Sequence, residues 1–374
     1  MSNEQPLRVK FVYFLLAIIL FIYAITAAKD FLYPIALAIL ISYLLYPLAN
    51  YLEKHKFPRI MTIIISILFA IIIISVAAFF IYKRIEVMVG DFPTLKKQAL
   101  KNIDTLQSSI ESLFNISDNT IEQFLKIRIV SFFEEGGNFF NKLFTATAGT
   151  IFKIGILPVY VFLFLFYRTK FAHFILMMVS NDKRLITVKI LRDISQIAAK
   201  YMGGVLTVVL ILCFVNSAGL LLIGLKYAIV LGIISAIFTF IPYFGTIIGG
   251  TMTFAFALLT ADSPTYALKV MALYIIVIFL EHNILTPNIV GGNVRVNPFI
   301  IILSLIIAAI VWGIPGMIII VPFIAILKIL TLNLPGLRPY SFLLGIRGAR
   351  RHAIYIPTIK ELLSRKKKEM DDND

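Results

Sequence analysis

The chain has 374 residues, of which 60% are hydrophobic and only 15% charged. A soluble domain carries about 25% charged and about 45–50% apolar residues, so this composition excludes an ordinary soluble protein and points to many membrane helices. The net charge of +15 would suit a nucleic-acid partner, but the bases fall in short segments between apolar runs, which argues against one and fits retention of positive charge on the cytoplasmic side.

The first apolar run, 11–28, follows Arg8 and Lys10 and ends in small residues. A cleaved signal peptide is the rival reading. Its apolar core would be about 7–15 residues, and here a second run follows almost at once, so 11–28 is read as a span. Further spans are expected at 31–50, 60–82, 149–167, 204–224 and 266–288, each near the ~20 residues that a bilayer requires. The short 51–59 loop carries Lys54, Lys56 and Arg59. The 168–203 segment and the tail are also basic, the latter with a run of four bases at 365–368. The N-terminus, these segments and the tail are therefore placed in the cytoplasm.

Residues 83–148 mix acids and bases and face outward in this topology. Phe92, Leu95, Ala99, Ile103, Leu106, Ile110 and Leu113 step by three and four, which predicts an amphipathic helix. Asn119 with Glu122 resembles a capping box for a second helix, ended by Gly136 and Gly137. The insertion is read as a spacer packed on the membrane domain, with a gate or substrate-collecting role as the alternative. Residues 181–203 predict a second amphipathic helix along the cytoplasmic membrane surface, with Ile186, Ile190, Ile194, Ile197 and Tyr201 on one side. Gly203 and Gly204 would turn it into the next span.

Two apolar regions, 226–260 and 297–332, are interrupted. Ile241-Pro242-Tyr243-Phe244-Gly245 breaks the first and Gly313-Ile314-Pro315-Gly316 the second. Proline removes a backbone donor and leaves the carbonyl four residues earlier unpaired. Each half of the first region spans roughly 20–22 Å at 1.5 Å per residue, short of the ~30 Å hydrocarbon core. Non-helical backbone at membrane depth persists only where protein buries it or a wet cavity lines it. Paired breaks of this kind are the best sequence pointer to a transport site, although an ordinary proline kink in a packed bundle is the alternative. The regions read as re-entrant hairpins or as bent spans, hairpins being preferred.

Between the two regions Glu281, His282, Asn283, Thr286, Pro287 and Asn288 close an otherwise apolar helix. Glu281 is the acid well inside a predicted span in this half. Such a residue marks a functional site by default, against the alternative of an interfacial pairing with Arg295. The single Cys213 rules out an intramolecular disulfide framework, and the scattered His55, His173, His282 and His352 form no metal-binding pair. No nucleophile–base pair stands out and no phosphate-binding loop occurs, so neither an enzyme nor an ATP-driven pump is expected, and no cofactor.

The stretches YPLANYLEKHKFPR (46–59), KYMGG (200–204), LGIISAIFTFIPYFGTIIGG (231–250), EHNILTPNIVGG (281–292) and VNPFIIILSLIIAAIVWGIPGMIIIVPFIAILKIL (296–330) resemble the autoinducer-2 exporter (AI-2E) family, also described as PerM-like permeases. The resemblance implies about eight membrane segments, an extracytoplasmic helical insertion and ring-shaped homo-oligomers. It also implies transport, some members of the family being linked to export of the quorum-sensing signal autoinducer-2 and others to sodium(lithium)/proton antiport. Glu281, Asn283, Pro287 and Pro298 fall at characteristic family positions, and His282 does not carry over.

The expectation is an all-α polytopic membrane protein of a bacterial inner membrane. It divides into three spans (1–82), the insertion (83–148), a fourth span and connection (149–180), the amphipathic helix (181–203), a transport core (204–332) and a basic tail (333–374). Its expected partners are the bilayer and a small polar solute or a monovalent cation, and a non-transport scaffold with an outer interaction domain is the third reading. The expected pathway residues are Pro242, Tyr243, Gly245, Glu281, Asn283, Thr286, Pro287, Pro298, Pro315 and Gly316.

Overall fold

A computed structural model describes residues 7–114, 126–131, 133–136, 138, 148–290 and 296–345. The named elements among them are all helical: α1 (Leu7–Ala27), α2 (Lys29–Lys54), α3 (Arg59–Gly90), α4 (Phe92–Phe114), α5 (Ala148–Met177), α6 (Arg184–Ile223), α7 (Ala228–Phe238), α8 (Gly245–Thr260), α9 (Pro264–Leu280), a π-helix (Glu281–Val290), α10 (Pro298–Asn333) and α11 (Arg338–Leu344), with short 3₁₀ turns before α6 and α11. Among the described residues, six helical segments are by length and composition long and apolar enough to cross a bilayer: Lys29–Lys54, Arg59–Gly90, Gly155–Met177, Asn181–Ile223, Pro264–Val290 and Pro298–Asn333. The apolar helices at Phe11–Ala27, Ala228–Phe238 and Gly245–Thr260 are shorter. The expected capping box at Asn119 and Glu122, Gly137, Arg295 and the tail beyond 345 lie outside the described residues.

The halves of the first interrupted region fold back on each other. The Thr239 and Thr246 hydroxyls lie 3.1 Å apart. A Cβ at Gly249 would come within 2.6 Å of the Ser235 carbonyl oxygen, and one at Gly245 within 2.0 Å of the Phe238 carbonyl oxygen. These pairings run in opposite senses along the chain, so α7 and α8 form an antiparallel hairpin. Small residues permit such backbone contact, as they do between membrane helices. At 1.5 Å per residue the two arms reach about 17 and 24 Å.

α10 is folded as well. Gly313 takes φ 66° and ψ −144° inside it, a conformation open essentially to glycine. A Cβ at Gly316 would sit 2.4 Å from the Ala308 carbonyl oxygen, eight residues away, which a straight helix forbids. Residues 298–312 and 314–333 are thus the arms of a second antiparallel hairpin.

The roots of the hairpins lie against different parts of the molecule. The α6–α7 turn, begun by the left-handed Gly224 that ends α6, is clasped to the end of α3: Asp91 accepts from Lys226 Nζ at 2.9 Å and from the Tyr227 hydroxyl. The Tyr227 hydroxyl and the Lys226 ammonium hold the Asp91 carboxyl below its ordinary range. The root of the second hairpin instead meets α11, where Asn297 N–H donates to the Leu344 carbonyl at 2.9 Å.

The first part of the apolar stripe of α4 packs as a core face. Leu95, Ala99 and Ile103 are buried with Ile129 and Phe133 of the insertion and Phe256 of α8. Asn102 Nδ2 donates to the Leu259 and Ala261 carbonyls at 2.9 and 2.8 Å, tying α4 to the end of α8.

One expectation fails here. α6 runs unbroken through Gly203 and Gly204 for 40 residues. Gly204 instead lets the π-helix approach, since a Cβ there would lie 3.0 Å from the Ile289 carbonyl oxygen. Further along the amphipathic stripe, Ile190 and Ile194 are buried against Ile329 of α10, whereas Ile186 at its start is exposed.

Candidate functional site

A cavity of about 320 Å³ lies where the tip of the α7–α8 hairpin meets the π-helix. The hairpin contributes Thr239, Pro242 and Tyr243, and the π-helix contributes Glu281, His282, Thr286, Pro287 and Val290. Tyr201, Val205 and Val208 of α6 and Ile301 and Val321 from the two arms of α10 complete the wall. The site therefore draws on both hairpins, with hydroxyls, one carboxylate and one imidazole set among aliphatic side chains.

The hairpin tip does not leave the carbonyl before its proline orphaned. The Phe238 carbonyl accepts from Ile241 N–H at 2.8 Å. The reversal is made by Tyr243, whose φ of 67° is left-handed. A bulky residue in that region is an outlier that persists only when its surroundings enforce it. Gly245 supplies the close contact behind it and does not line the cavity.

Glu281 is 7% exposed. Its Oε2 accepts from the Thr246 hydroxyl at the start of α8, and Thr246 in turn meets Thr239. His282 Nδ1 is 3.6 Å from the same oxygen and 3.0 Å from the Ile278 carbonyl oxygen. A buried carboxylate needs such partners, because an unpartnered one is strongly disfavoured away from water. The carboxylate thus joins the end of α9 to the tip of the hairpin. The widened π-helical turns that follow are a form rare elsewhere and common at functional sites.

Of the ten residues expected along a pathway, Pro242, Tyr243, Glu281, Thr286 and Pro287 come together at the cavity. Asn283 is exposed, and its Nδ2 donates back to the Phe279 carbonyl at 2.9 Å. Pro298 is the first residue of α10, behind the cap in which Asn297 Oδ1 accepts from Phe299 N–H at 3.0 Å. Such a position suits proline for helix initiation alone. Pro315 and Gly316 sit at the tip of the second hairpin, away from the cavity wall. His282, set aside on the sequence, faces the cavity, as do Tyr201 and Thr239. Tyr201 falls on the α6 stripe, whose apolar neighbours mask it as core.

A second buried polar set locks the helices around the site. Asn216 Nδ2 donates to Ser235 Oγ at 3.0 Å, the Tyr274 hydroxyl donates to the same oxygen at 2.6 Å, and Thr253 lies 3.2 Å from the Tyr274 hydroxyl. Side chains of α6, α7, α8 and α9 meet there, so the first hairpin is held between α6 and α9 by directional bonds as well as by packing.

A sequence profile described as AI-2E family transporter matches residues 13–336. The chain is 30% identical over 326 residues to "Putative transport protein YueF" of Bacillus subtilis, covering 81% of this chain and 84% of the relative. It is 26% identical to YrrI of the same organism, described in the same words, covering 83% of this chain and 88% of the relative. A third relative of that description, from Borreliella burgdorferi, is 25% identical over 91% of this chain and 92% of its own length.

Proposed function

The chain belongs to the AI-2E transporter family, and from that premise we propose that it moves a small hydroxylated solute outward through the cavity between the α7–α8 tip and the π-helix. The observation that carries this reading is the cavity itself. Its volume of about 320 Å³ is at the small end of the ~300–1,000 Å³ typical of small-molecule sites. A bare cation would need a tight shell of oxygens at about 2.3–2.6 Å instead. The aliphatic wall suits a carbon skeleton. The hydroxyls of Tyr201, Thr239, Tyr243 and Thr286 suit a solute that both donates and accepts, and Glu281 accepts from a solute hydroxyl. Autoinducer-2 has this character.

In this reading the hairpins are re-entrant from opposite faces of a bacterial inner membrane. The α7–α8 root lies on the outer side with Asp91 and α4. The α10 root lies on the cytoplasmic side with α11 and the basic tail. Single cysteines in a Cys213→Ala background test the orientation. An impermeant maleimide added to intact cells should label a cysteine at Asp262 and leave one at Lys54 unlabelled; the reverse pattern overturns the proposed orientation.

Sodium/proton antiport is the second reading, favoured by the carboxylate–imidazole pair of Glu281 and His282, 3.6 Å apart. Proteoliposome flux separates the two. Efflux of autoinducer-2 that is saturable and indifferent to sodium and to an imposed pH gradient is expected. Sodium flux driven by the pH gradient, with no solute flux, would replace the exporter by the antiporter.

A further inference from the structure

The α7–α8 hairpin has a solute-sized cavity at each end. The second, of about 300 Å³, lies at its root. One wall is the entry turn at Gly224–Lys226, another the exit at Thr260–Asp262, and α4 closes it with Thr94 and Gln98. Asn102 fixes α4 over this space through its two bonds to the 259 and 261 carbonyls, and Gln98 Nε2 donates to Asn102 Oδ1 at 3.1 Å.

The lining repeats the chemistry of the tip cavity. Threonine and tyrosine hydroxyls (Thr94, Thr260, Tyr266) accompany one carboxylate, Asp262. The single ammonium, Lys226, is already engaged by Asp91 at 2.9 Å. With Lys226 neutralised by Asp91, Asp262 stands as a charged acceptor among hydroxyls and one amide, a lining that disfavours an anionic solute. It favours a neutral molecule that donates and accepts several hydrogen bonds.

We infer that the root cavity is a second binding site for a small neutral hydroxylated solute, roofed by the α4 insertion and serving as the exit-side station of the pathway. The inference extends the transport reading but rests on a separate set of residues. It gives the insertion a specific task, which is to complete a site that the membrane helices leave open.

The test is protection from thiol labelling in the purified full chain, with Cys213→Ala as background and autoinducer-2 as the probe. Thr260→Cys and Thr94→Cys report on the root cavity from two elements, and Thr286→Cys reports on the tip cavity. Autoinducer-2 should slow maleimide labelling at both root positions, by about tenfold when it is tenfold above its Kd. The slowing should persist when Glu281→Gln is added. Unchanged labelling at both root positions overturns the inference, whatever Thr286→Cys shows. Root protection that vanishes with Glu281→Gln also overturns it, since the effect is then relayed from the tip. Root protection without protection at Thr286→Cys sustains the root site and instead overturns the reading that places solute beside Glu281.

Discussion

Gly245→Ala is expected to abolish transport. The added methyl carbon would stand 2.0 Å from the Phe238 carbonyl oxygen and 2.5 Å from the Thr239 Cα. Both neighbours are backbone, so no side-chain rotation relieves the contact. The two arms must part at the tip, and the first groups to separate are Thr239 and Thr246, which reach Glu281. Forced overpacking costs about 1–3 kcal/mol where side chains give way, and a backbone clash belongs at or above the upper end. Insertion should survive, because it follows the apolarity of the segments. Gly316→Ala should behave alike, its methyl falling 2.4 Å from the Ala308 carbonyl oxygen. Gly203→Ala is the control, since nothing lies within 4 Å of that position and alanine is the better helix former by about 1 kcal/mol. Flux in proteoliposomes and the thermal midpoint in detergent are the readouts. Full flux from both Gly245→Ala and Gly316→Ala would show that the tight tips have no part in transport.

The glycines also show how far the sequence could be read. The interruptions at 240–245 and 313–316 were legible because Gly and Pro punctuate runs that are otherwise apolar. Proline alone was a poor guide: Pro34 and Pro47 lie inside α2, and Pro158 inside α5, without ending either helix. The residues that reverse the chain are Tyr243 and Gly313, and only the second has a composition that announces it. A tyrosine in left-handed backbone is imposed by tertiary packing, which no local pattern encodes. The Gly203–Gly204 pair misled for the converse reason. Two adjacent glycines look like a turn, whereas one of them serves close contact with the π-helix. Glu281 was legible as an acid in an apolar segment. Thr246 and Thr239, its route to the hairpin, were not, because threonine is common in membrane helices and its partner lies 35 residues away. The π-helix has no sequence period of its own, and His282, set aside because it does not carry over from the family resemblance, had no local pattern to restore it.

Glu281→Gln decides between the two functional readings, and the geometry sharpens what each requires. The side chain is nearly isosteric and still offers a carbonyl oxygen to the Thr246 hydroxyl, so the link from α9 to the hairpin tip should hold. The thermal midpoint should accordingly move little, in keeping with the net ~0.5–1.5 kcal/mol of an ordinary hydrogen bond. What is lost is the titratable charge. In an antiporter, sodium and proton compete for one carboxylate, and a neutral amide serves neither. Exchange would then vanish at every pH. In an exporter of a neutral hydroxylated solute, the carboxylate only accepts hydrogen bonds. The amide accepts less strongly, and half of its polar surface now donates. Removing a charged acceptor costs about 1–3 kcal/mol, roughly 5- to 150-fold in affinity. Half-saturation should rise by that factor while the maximal flux persists. The expected outcome is the second, because the cavity has the size and hydroxyl lining for a molecule, while a single acid with one imidazole gives little equipment for ion coupling. Wild-type behaviour of Glu281→Gln in both assays would assign Glu281 to holding the hairpin tip and move the solute site elsewhere.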